Sequence, residues 1–288
     1  MEIDIKKKRI IEDIQSLPTL PVIVMKILEC VDDPYSSADD LKDIIINDIA
    51  ISSKVLSLAN SAYYGYTKEI VDITRAVVVL GIETIIDISL SVSLNSILTP
   101  TTNCVAVSLE ELWKHSIATG EAARLCAGEN LYPYKERAFL IGLIHDIGKI
   151  ALYCFFPVEF NSAIENAQNE EQFIFDTENN EFGFSHNNAG TWLADKWNLP
   201  PTISVPILFH HQPQKAPDKF QKEAVLAHLS DYIVKISKIG NSGDNNKLPE
   251  LSPVVYSTLK IDEEQLNNLS QKLTELEPKI DSFMRTVF

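Results

Sequence analysis

The chain has 288 residues, of which 45% are hydrophobic and 23% charged, as is typical of a folded globular protein rather than a disordered or fibrous one. Its formal net charge is -15, because 40 acidic residues stand against 25 basic ones. Such a surface repels phosphodiester backbones and anionic lipid, which disfavours nonspecific nucleic-acid binding. A pocket that holds a metal or a few cations could still bind a small anion.

The sequence shows no sign of export or of a membrane span. The first residues, MEIDIKKKRIIEDI, lack the apolar core and cleavage site of a secretory signal. No stretch reaches the ~18 uncharged apolar residues that a spanning helix needs. Four scattered cysteines without a CxxC pair are interpreted as buried free thiols: Cys30, Cys104, Cys126 and Cys154. We therefore expect a cytoplasmic protein without membrane contact.

Helical spacing of apolar residues begins at once, as in IIEDIQSL at 10–17, and strict alternation over the length of a strand is hard to find. The pattern predicts an all-α protein. Asp48 can cap a helix in which Ile51, Val55 and Leu58 form one buried stripe. A pair of apolar helices over 73–80 and 82–98 follows, separated by Gly81.

The second half has a different composition from the first. The first hundred residues contain no histidine, and PTTN at 100–103 is the natural boundary. Helices are predicted near 109–127, 135–155, 157–168, 185–197 and 202–210, with a last helical region over about 262–284. The polar stretch IGNSGDNNKLPELSP is predicted to be a connecting loop. These features predict an N-terminal subdomain over 1–100, a second subdomain over 104–235, and a loop with a C-terminal helical extension over 236–288.

Histidine and aspartate residues in the second half are candidate metal ligands. His145 and Asp146 interrupt an apolar run, where an unpaired carboxylate would cost several kcal/mol unless a cation neutralised it. His115 and Asp231 complete a four-ligand N/O site, which suits Fe, Mn, Ni or Zn. The alternative is that each histidine is a hydrogen-bonded core residue.

Further histidines raise the number of candidate ligands to seven, too many for a single ion: His115, His145, Asp146, His186, His210, His211 and Asp231. Two ions that share Asp146 as a bridge would use them all, an arrangement that activates water and binds phosphate oxygens in phosphoesterases. Lys149 could neutralise a phosphate or pair with Asp146, or it could be a surface lysine. His228 and the weaker candidate Glu181 are predicted to support ligands rather than bind metal.

Several segments resemble the HDOD domain, the HD-related output domain of bacterial signalling proteins. They are LPTLP at 17–21, DIAISSKVLSLANSAYYG at 48–65, ITRAVVVLG at 73–81, LWKHSIATG, LIHDIGK, SHNNAGTWLADKWNLP at 185–200 and HH at 210–211. The resemblance covers about residues 12–235. It implies an N-terminal helical subdomain packed on an HD-type helical domain.

Most HDOD domains resemble HD domains that have lost their ligands and act as noncatalytic regulators. In this sequence the seven candidates fall where the related HD-GYP phosphodiesterases place metal ligands. However, QPQKAP follows His210 and His211, and the GYP loop that shapes the cyclic di-GMP site of those enzymes is missing.

Three functions follow as hypotheses. The preferred one is a signalling module whose site binds one or two divalent transition-metal ions together with a nucleotide or phosphate ligand. Occupancy of this site would alter the contacts of the module with a signalling protein partner. The alternative is a metal-dependent phosphohydrolase acting on a nucleotide or other phosphate ester, with Asp146 and Lys149 as catalytic residues. The third is a scaffold whose histidines only pack.

Overall fold

A computed structural model describes residues 2–17, 19–32, 38–66, 68–98, 106–133, 135–244, 247 and 249–288. In this part of the chain every regular element is a helix, so the predicted all-α class is confirmed. The α-helices in chain order are α1 Glu2–Ser16, α2 Val22–Asp32, α3 Ala38–Ile46, α4 Ile49–Ala59, α5 Ile73–Leu80, α6 Ile82–Ile97, α7 Leu109–Gly128, α8 Lys135–Ile144, α9 Ile147–Phe155, α10 Pro157–Asn169, α11 Ile174–Phe182, α12 His186–Lys196, α13 Pro201–Phe209, α14 Gln221–Ser237, α15 Val254–Leu259, α16 Glu263–Glu275 and α17 Glu277–Val287. Two short 3-10 turns, Pro213–Lys215 and Asp218–Phe220, connect α13 to α14.

The helices divide into two compact units. The N-terminal unit comprises Pro18–Ile97 and Leu276–Phe288, and the histidine unit comprises Met1–Leu17 and Leu98–Glu275. Helix α1 thus belongs to the histidine unit, and α17 belongs to the N-terminal unit. The predicted boundary at 100–103 lies outside the described residues, and the predicted domain limits stay a prediction.

In the N-terminal unit, α4 begins as its sequence indicates. The side chain of Asp48 accepts a hydrogen bond of 3.0 Å from the backbone N–H of Ile51 and so satisfies one of the free donors at the start of the helix. Ile51, Val55 and Leu58 are buried on one face. Gly81 separates α5 from α6 with a positive φ of 78°, a conformation that glycine adopts without steric cost.

Close helix contacts in the histidine unit depend on glycines. A Cβ atom on Gly142 of α8 would overlap the Thr119 carbonyl of α7. A Cβ atom on Gly148 of α9 would overlap the carbonyl oxygen of His186 and approach the backbone nitrogen of Gly190, both on α12. These backbones can therefore approach closely only because the side chains are missing.

The prediction of one continuous helix over 135–155 was wrong. Helix α8 ends at Ile144 and α9 begins at Ile147, so His145 and Asp146 occupy a turn between them. The predicted helical region over 262–284 consists of two helices, α16 and α17, separated at Leu276. In each case the apolar spacing continues across the break, and the periodicity alone does not reveal it.

Among the described residues, the segment Arg137–Phe155, which spans most of α8 and all of α9, is long and apolar enough to cross a membrane by length and composition alone, and the bent pair of α5 and α6 passes the same test together. Within the histidine unit 94% of this segment is buried, which is equally typical of a core helix. Cys126 and Cys154 are buried free thiols, as predicted. Cys104 and the side chain of Cys30 lie outside the described part of the chain.

Candidate metal centre

The structure brings all seven predicted ligands together within the histidine unit. They come from five places in the chain: His115 on α7, His145 and Asp146 in the turn between α8 and α9, His186 at the start of α12, His210 and His211 at the end of α13, and Asp231 on α14. His211 is half-buried, and the other six are buried.

Asp146 lies at the centre of this cluster. Its Oδ1 atom is 3.3 Å from Nε2 of His186 and 3.3 Å from Nε2 of His210. Its Oδ2 atom is 3.3 Å from Nε2 of His145 and 3.8 Å from Nε2 of His115. The two oxygens of one carboxylate therefore face two different groups of imidazoles.

Asp231 closes the group around Oδ2 of Asp146. Its Oδ1 atom is 3.0 Å from Nε2 of His115 and 3.7 Å from Nε2 of His145. On the opposite side, His211 approaches His186, with their Nε2 atoms 3.0 Å apart. Asp146 thus belongs to one possible ligand group with His115 and His145, and to another with His186, His210 and His211.

Hydrogen bonds on the far side of three rings determine which nitrogen faces Asp146. Nδ1 of His145 is 2.7 Å from the Gly142 carbonyl oxygen, and Nδ1 of His210 is 2.9 Å from the Ile207 carbonyl oxygen. Nδ1 of His186 is 2.6 Å from Oε2 of Glu178. Because these oxygens can only accept, each Nδ1 must donate, and in a neutral imidazole this leaves the lone pair on Nε2.

Acceptor atoms therefore face acceptor atoms at the centre. Among the described residues, six of these buried atoms have no hydrogen bond of acceptable geometry: His115 Nε2, His145 Nε2, His210 Nε2, both carboxylate oxygens of Asp146, and Asp231 Oδ1. Oδ2 of Asp146 has an ion-pair contact with Lys149. Buried polar atoms are ordinarily satisfied, so a cation between them is the simplest account. Ligands in adjacent positions of an octahedral ion with bonds of ~2.1 Å lie about 3 Å apart, and the observed spacing of 3.0–3.8 Å fits this arrangement.

Glu178 and Asn187 support the cluster and were not predicted from the sequence. Glu178 is fully buried on α11 and accepts hydrogen bonds from both the backbone and the ring of His186. The Asn187 amide donates to the carbonyl oxygens of Ile207 and Leu208, which ties α12 to the last turn of α13. Glu181, the predicted support, instead accepts a hydrogen bond from Asn166 on α10.

His228 lies beside the cluster, and both of its ring nitrogens are hydrogen-bonded to backbone groups. Its Nδ1 donates to the His210 carbonyl oxygen at 2.7 Å, and its Nε2 accepts from the Ser252 N–H at 3.0 Å. No ring nitrogen remains for a metal, and the contact holds the backbone of a predicted ligand. The geometry fits the supporting role expected of His228.

Lys149 is not a surface lysine, because its side chain is fully buried. Its Nζ atom lies 2.9 Å from Oδ2 of Asp146 and 3.2 Å from Oδ2 of Asp244. A second lysine, Lys235 on α14, lies 2.9 Å from Asp231 and 3.4 Å from Asp244. Neither Lys235 nor Asp244 was predicted from the sequence. Asp244 was missed because it belongs to a stretch interpreted only as a connecting loop.

Burial and these charges set the protonation states. Burial lowers the pKa of His210 to about 4 and holds that of His211 well below its usual range. For His145 burial also opposes the charged form, but the carboxylates of Asp146 and Asp231 outweigh it and raise the pKa to about 9. Without a metal, the two carboxylates thus favour protonation of His145, as expected where the centre lacks positive charge.

The formal charges of the buried groups point the same way. The cluster and its surroundings contain four buried carboxylates, those of Asp146, Glu178, Asp231 and Asp244, but only two ammonium groups, those of Lys149 and Lys235. With neutral histidines the cluster carries two negative charges in excess. One divalent cation would balance them, and a mixed imidazole and carboxylate set suits a transition metal.

Comparison with known proteins identifies the family. The HDOD domain model matches residues 17–213. A curated but uncharacterized protein of Treponema pallidum is 26% identical over 215 residues, which is 74% of this chain. The chain spans 41% of the length of that relative.

Solved structures share the fold. An HDOD domain protein of unknown function from Geobacter sulfurreducens is 25% identical, with a TM-score of 0.77 over 95% of this chain and 94% of its own. A candidate signal transduction protein from Marinobacter aquaeolei is 21% identical, with a TM-score of 0.81 over 96% of this chain and 61% of its own. A candidate phosphohydrolase from Shewanella amazonensis is 21% identical, with a TM-score of 0.71 over 97% of this chain and 98% of its own.

The family model covers more than half of the chain, including six of the seven clustered side chains, and the structural neighbours have the same helical fold. The chain therefore belongs to the HDOD family.

Proposed function

We propose that this HDOD protein is a regulatory module of signal transduction whose histidine unit binds a divalent transition metal at the cluster around Asp146. The observation that carries the proposal is that the Nε2 atoms of His145, His186 and His210 all face the Asp146 carboxylate at 3.3 Å. Hydrogen bonds fix these rings from behind, so they cannot relieve the contact by turning over.

Fe, Mn, Ni and Zn are the metals that this donor set suits, and the shared carboxylate provides ligands for two ions. The first ion would neutralise the two excess negative charges of the cluster. A second ion would then add charge that an anion, such as hydroxide or a phosphate group, must balance. We propose that the signal is occupancy of the site by metal and by a nucleotide or phosphate ligand. This occupancy alters contacts with a signalling protein partner in the cytoplasm.

The first experiment is elemental analysis of protein purified without chelator, comparing wild type with Asp146→Ala. We expect about one or two equivalents of transition metal in the wild type and less than about a tenth of an equivalent in the variant. The matched control is Asp195→Ala, because Asp195 is exposed on α12, the helix that also carries His186. Wild-type protein that retains no metal, even after incubation with Mn, Fe or Zn, would contradict the proposal.

The alternative function is hydrolysis of a phosphate ester. Bound metal ions would lower the pKa of water and polarise a phosphate. In that case Asp146 holds the ions in place and Lys149 orients the substrate phosphate. Against this alternative, QPQKAP stands in place of a GYP loop, and Lys149 is fully buried against Asp146 and Asp244.

Assays with phosphomonoesters, nucleotides and cyclic dinucleotides in the presence of Mn or Fe test the alternative directly. Turnover that is lost in Asp146→Ala but retained in Asp195→Ala would establish an enzyme. Turnover that is equal in Asp146→Ala and wild type would come from a contaminant.

A further inference from the structure

A carboxylate from the loop after α14 lies beside the candidate metal centre, in a position that suits an anionic ligand. Oδ2 of Asp244 accepts hydrogen bonds from Lys149 at 3.2 Å and from Lys235 at 3.4 Å. Its Oδ1 accepts one of 2.8 Å from the backbone N–H of Ile174 at the start of α11. Three donors from three helices thus converge on one carboxylate.

The donors are those that proteins use to bind phosphate. Both ammonium groups are buried, with 0% of the Lys149 side chain and 8% of the Lys235 side chain exposed. A buried ammonium group hydrogen-bonds strongly to an oxyanion, and a free N–H in the first turn of a helix adds to the attraction. Because Lys149 also contacts Asp146, the anion position adjoins the proposed metal position.

The loop that carries Asp244 is fixed at three points along the histidine unit. Gly240, with a positive φ of 69°, packs so tightly on α7 that a Cβ atom would overlap the backbone of His115. The N–H of Asn241 donates to the Glu111 carbonyl oxygen, and the N–H of Ser252 donates to His228. The loop follows residue 213, where the match to the HDOD domain ends.

We propose that Lys149, Lys235 and the Ile174 N–H form a binding site for a phosphate group, and that Asp244 is an internal competitor for it. The inference rests on the proposed metal centre, whose ligand it specifies. A phosphate reaches the site only when the loop withdraws its carboxylate. The apparent affinity for phosphate is therefore lowered by the fraction of molecules in which Asp244 occupies the site.

The test uses inorganic phosphate as the probe and the full chain loaded with Mn. Asp244→Asn keeps the size of the side chain and an acceptor for the Ile174 N–H but removes the charge. We expect it to bind phosphate at least tenfold more tightly than wild type by calorimetry, which corresponds to about 1.4 kcal/mol. Adding Lys235→Met to this variant should abolish the gain.

Asp218→Asn is the matched control, because it removes the same charge from an exposed position on the Asp218–Phe220 turn. It should leave phosphate affinity within twofold of wild type. Equal affinity in Asp244→Asn and wild type, or weaker affinity in the variant, would overturn the proposal. A gain of the same size in Asp218→Asn would also overturn it, since general charge would then be the cause.

Hydrogen exchange of the wild type tests the same idea without a variant. Saturating phosphate should increase exchange in peptides that cover 239–244, since the Asn241 N–H loses its partner, the Glu111 carbonyl oxygen of α7, when the loop moves. Unchanged or slower exchange with phosphate bound would contradict the competition. Metal content, measured on the same samples, separates the two proposals: protein that contains metal but fails both tests refutes only the role of Asp244.

Discussion

The carboxylate of Glu178 holds His186 twice, accepting hydrogen bonds of 2.8 Å from its backbone N–H and 2.6 Å from its ring Nδ1. The first contact fixes where the chain enters α12, and the second fixes which ring nitrogen faces Asp146. Among the described residues, Glu178 forms no hydrogen bond or ion pair with the other six predicted ligands.

Replacing Glu178 by Gln should weaken metal binding roughly 10–100-fold, the usual effect of losing a carboxylate behind a ligating histidine. Competition with a metal-binding dye would measure it. Glu181→Gln is the matched control, because Glu181 lies one helical turn away on α11 and pairs with Asn166. Equal loss in both variants would show that the effect is not specific to His186.

Much of this architecture could be predicted from residue patterns. The all-α class follows from spacing, and Asp48 and Gly81 mark helix boundaries by chemistry that acts over three or four residues. The seven candidate ligands could be selected because imidazoles and carboxylates are conspicuous in apolar helices.

Residues that act through tertiary contacts were harder to find. Asp244 lies among glycines and asparagines, where an aspartate is an ordinary turn residue, and only the folded chain shows it facing Lys149 and Lys235. Glu178 was overlooked in favour of Glu181 because distance along the sequence does not show which face of α11 is directed at His186. The break at His145 was missed because apolar residues continue on both sides of it.

Gly148→Ala should damage the centre through the backbone rather than through a ligand. The added Cβ would overlap the His186 carbonyl oxygen, so α9 and α12 must separate, and overpacking of this kind costs about 1–3 kcal/mol. Urea denaturation would measure the loss in unfolding free energy, and metal affinity should fall as well. In Gly128→Ala the new methyl group meets nothing within 4 Å, so full stability is expected there. A Gly148→Ala protein as stable as this control would show that the close approach is not required.

Removal of metal should lower the melting temperature. A ligand that binds only the folded state stabilises by mass action, by about 2.7 kcal/mol at a free concentration a hundred times its dissociation constant. Calorimetric scans before and after dialysis against chelator would show the shift, and Zn or Mn should restore the original value. Asp146→Ala should not respond to either treatment. An unchanged wild-type melt after verified removal of metal would exclude a stabilising role.

Cys126 should resist alkylation until the protein unfolds. Burial raises the pKa of its thiol from 9.0 to about 12, so very little thiolate is present in the folded protein at pH 8. Because the folded pKa lies above the unfolded one, this thiol stabilises the fold below about pH 9, and the contribution declines as the pH rises toward 12. Iodoacetamide labelling followed by peptide mass spectrometry should find Cys126 modified in urea and unmodified in buffer. Rapid labelling in buffer would contradict the burial.

The order in which the centre's side chains occur along the chain has a consequence for folding. The first, His115 on α7, and the last, Asp231 on α14, are separated by six α-helices, α8 to α13, and no short peptide contains the set. Contacts between residues so far apart in sequence form only after extensive chain closure. Acquisition of metal would therefore report that the histidine unit has assembled completely, and a partly folded intermediate would lack the centre even where its individual helices had formed.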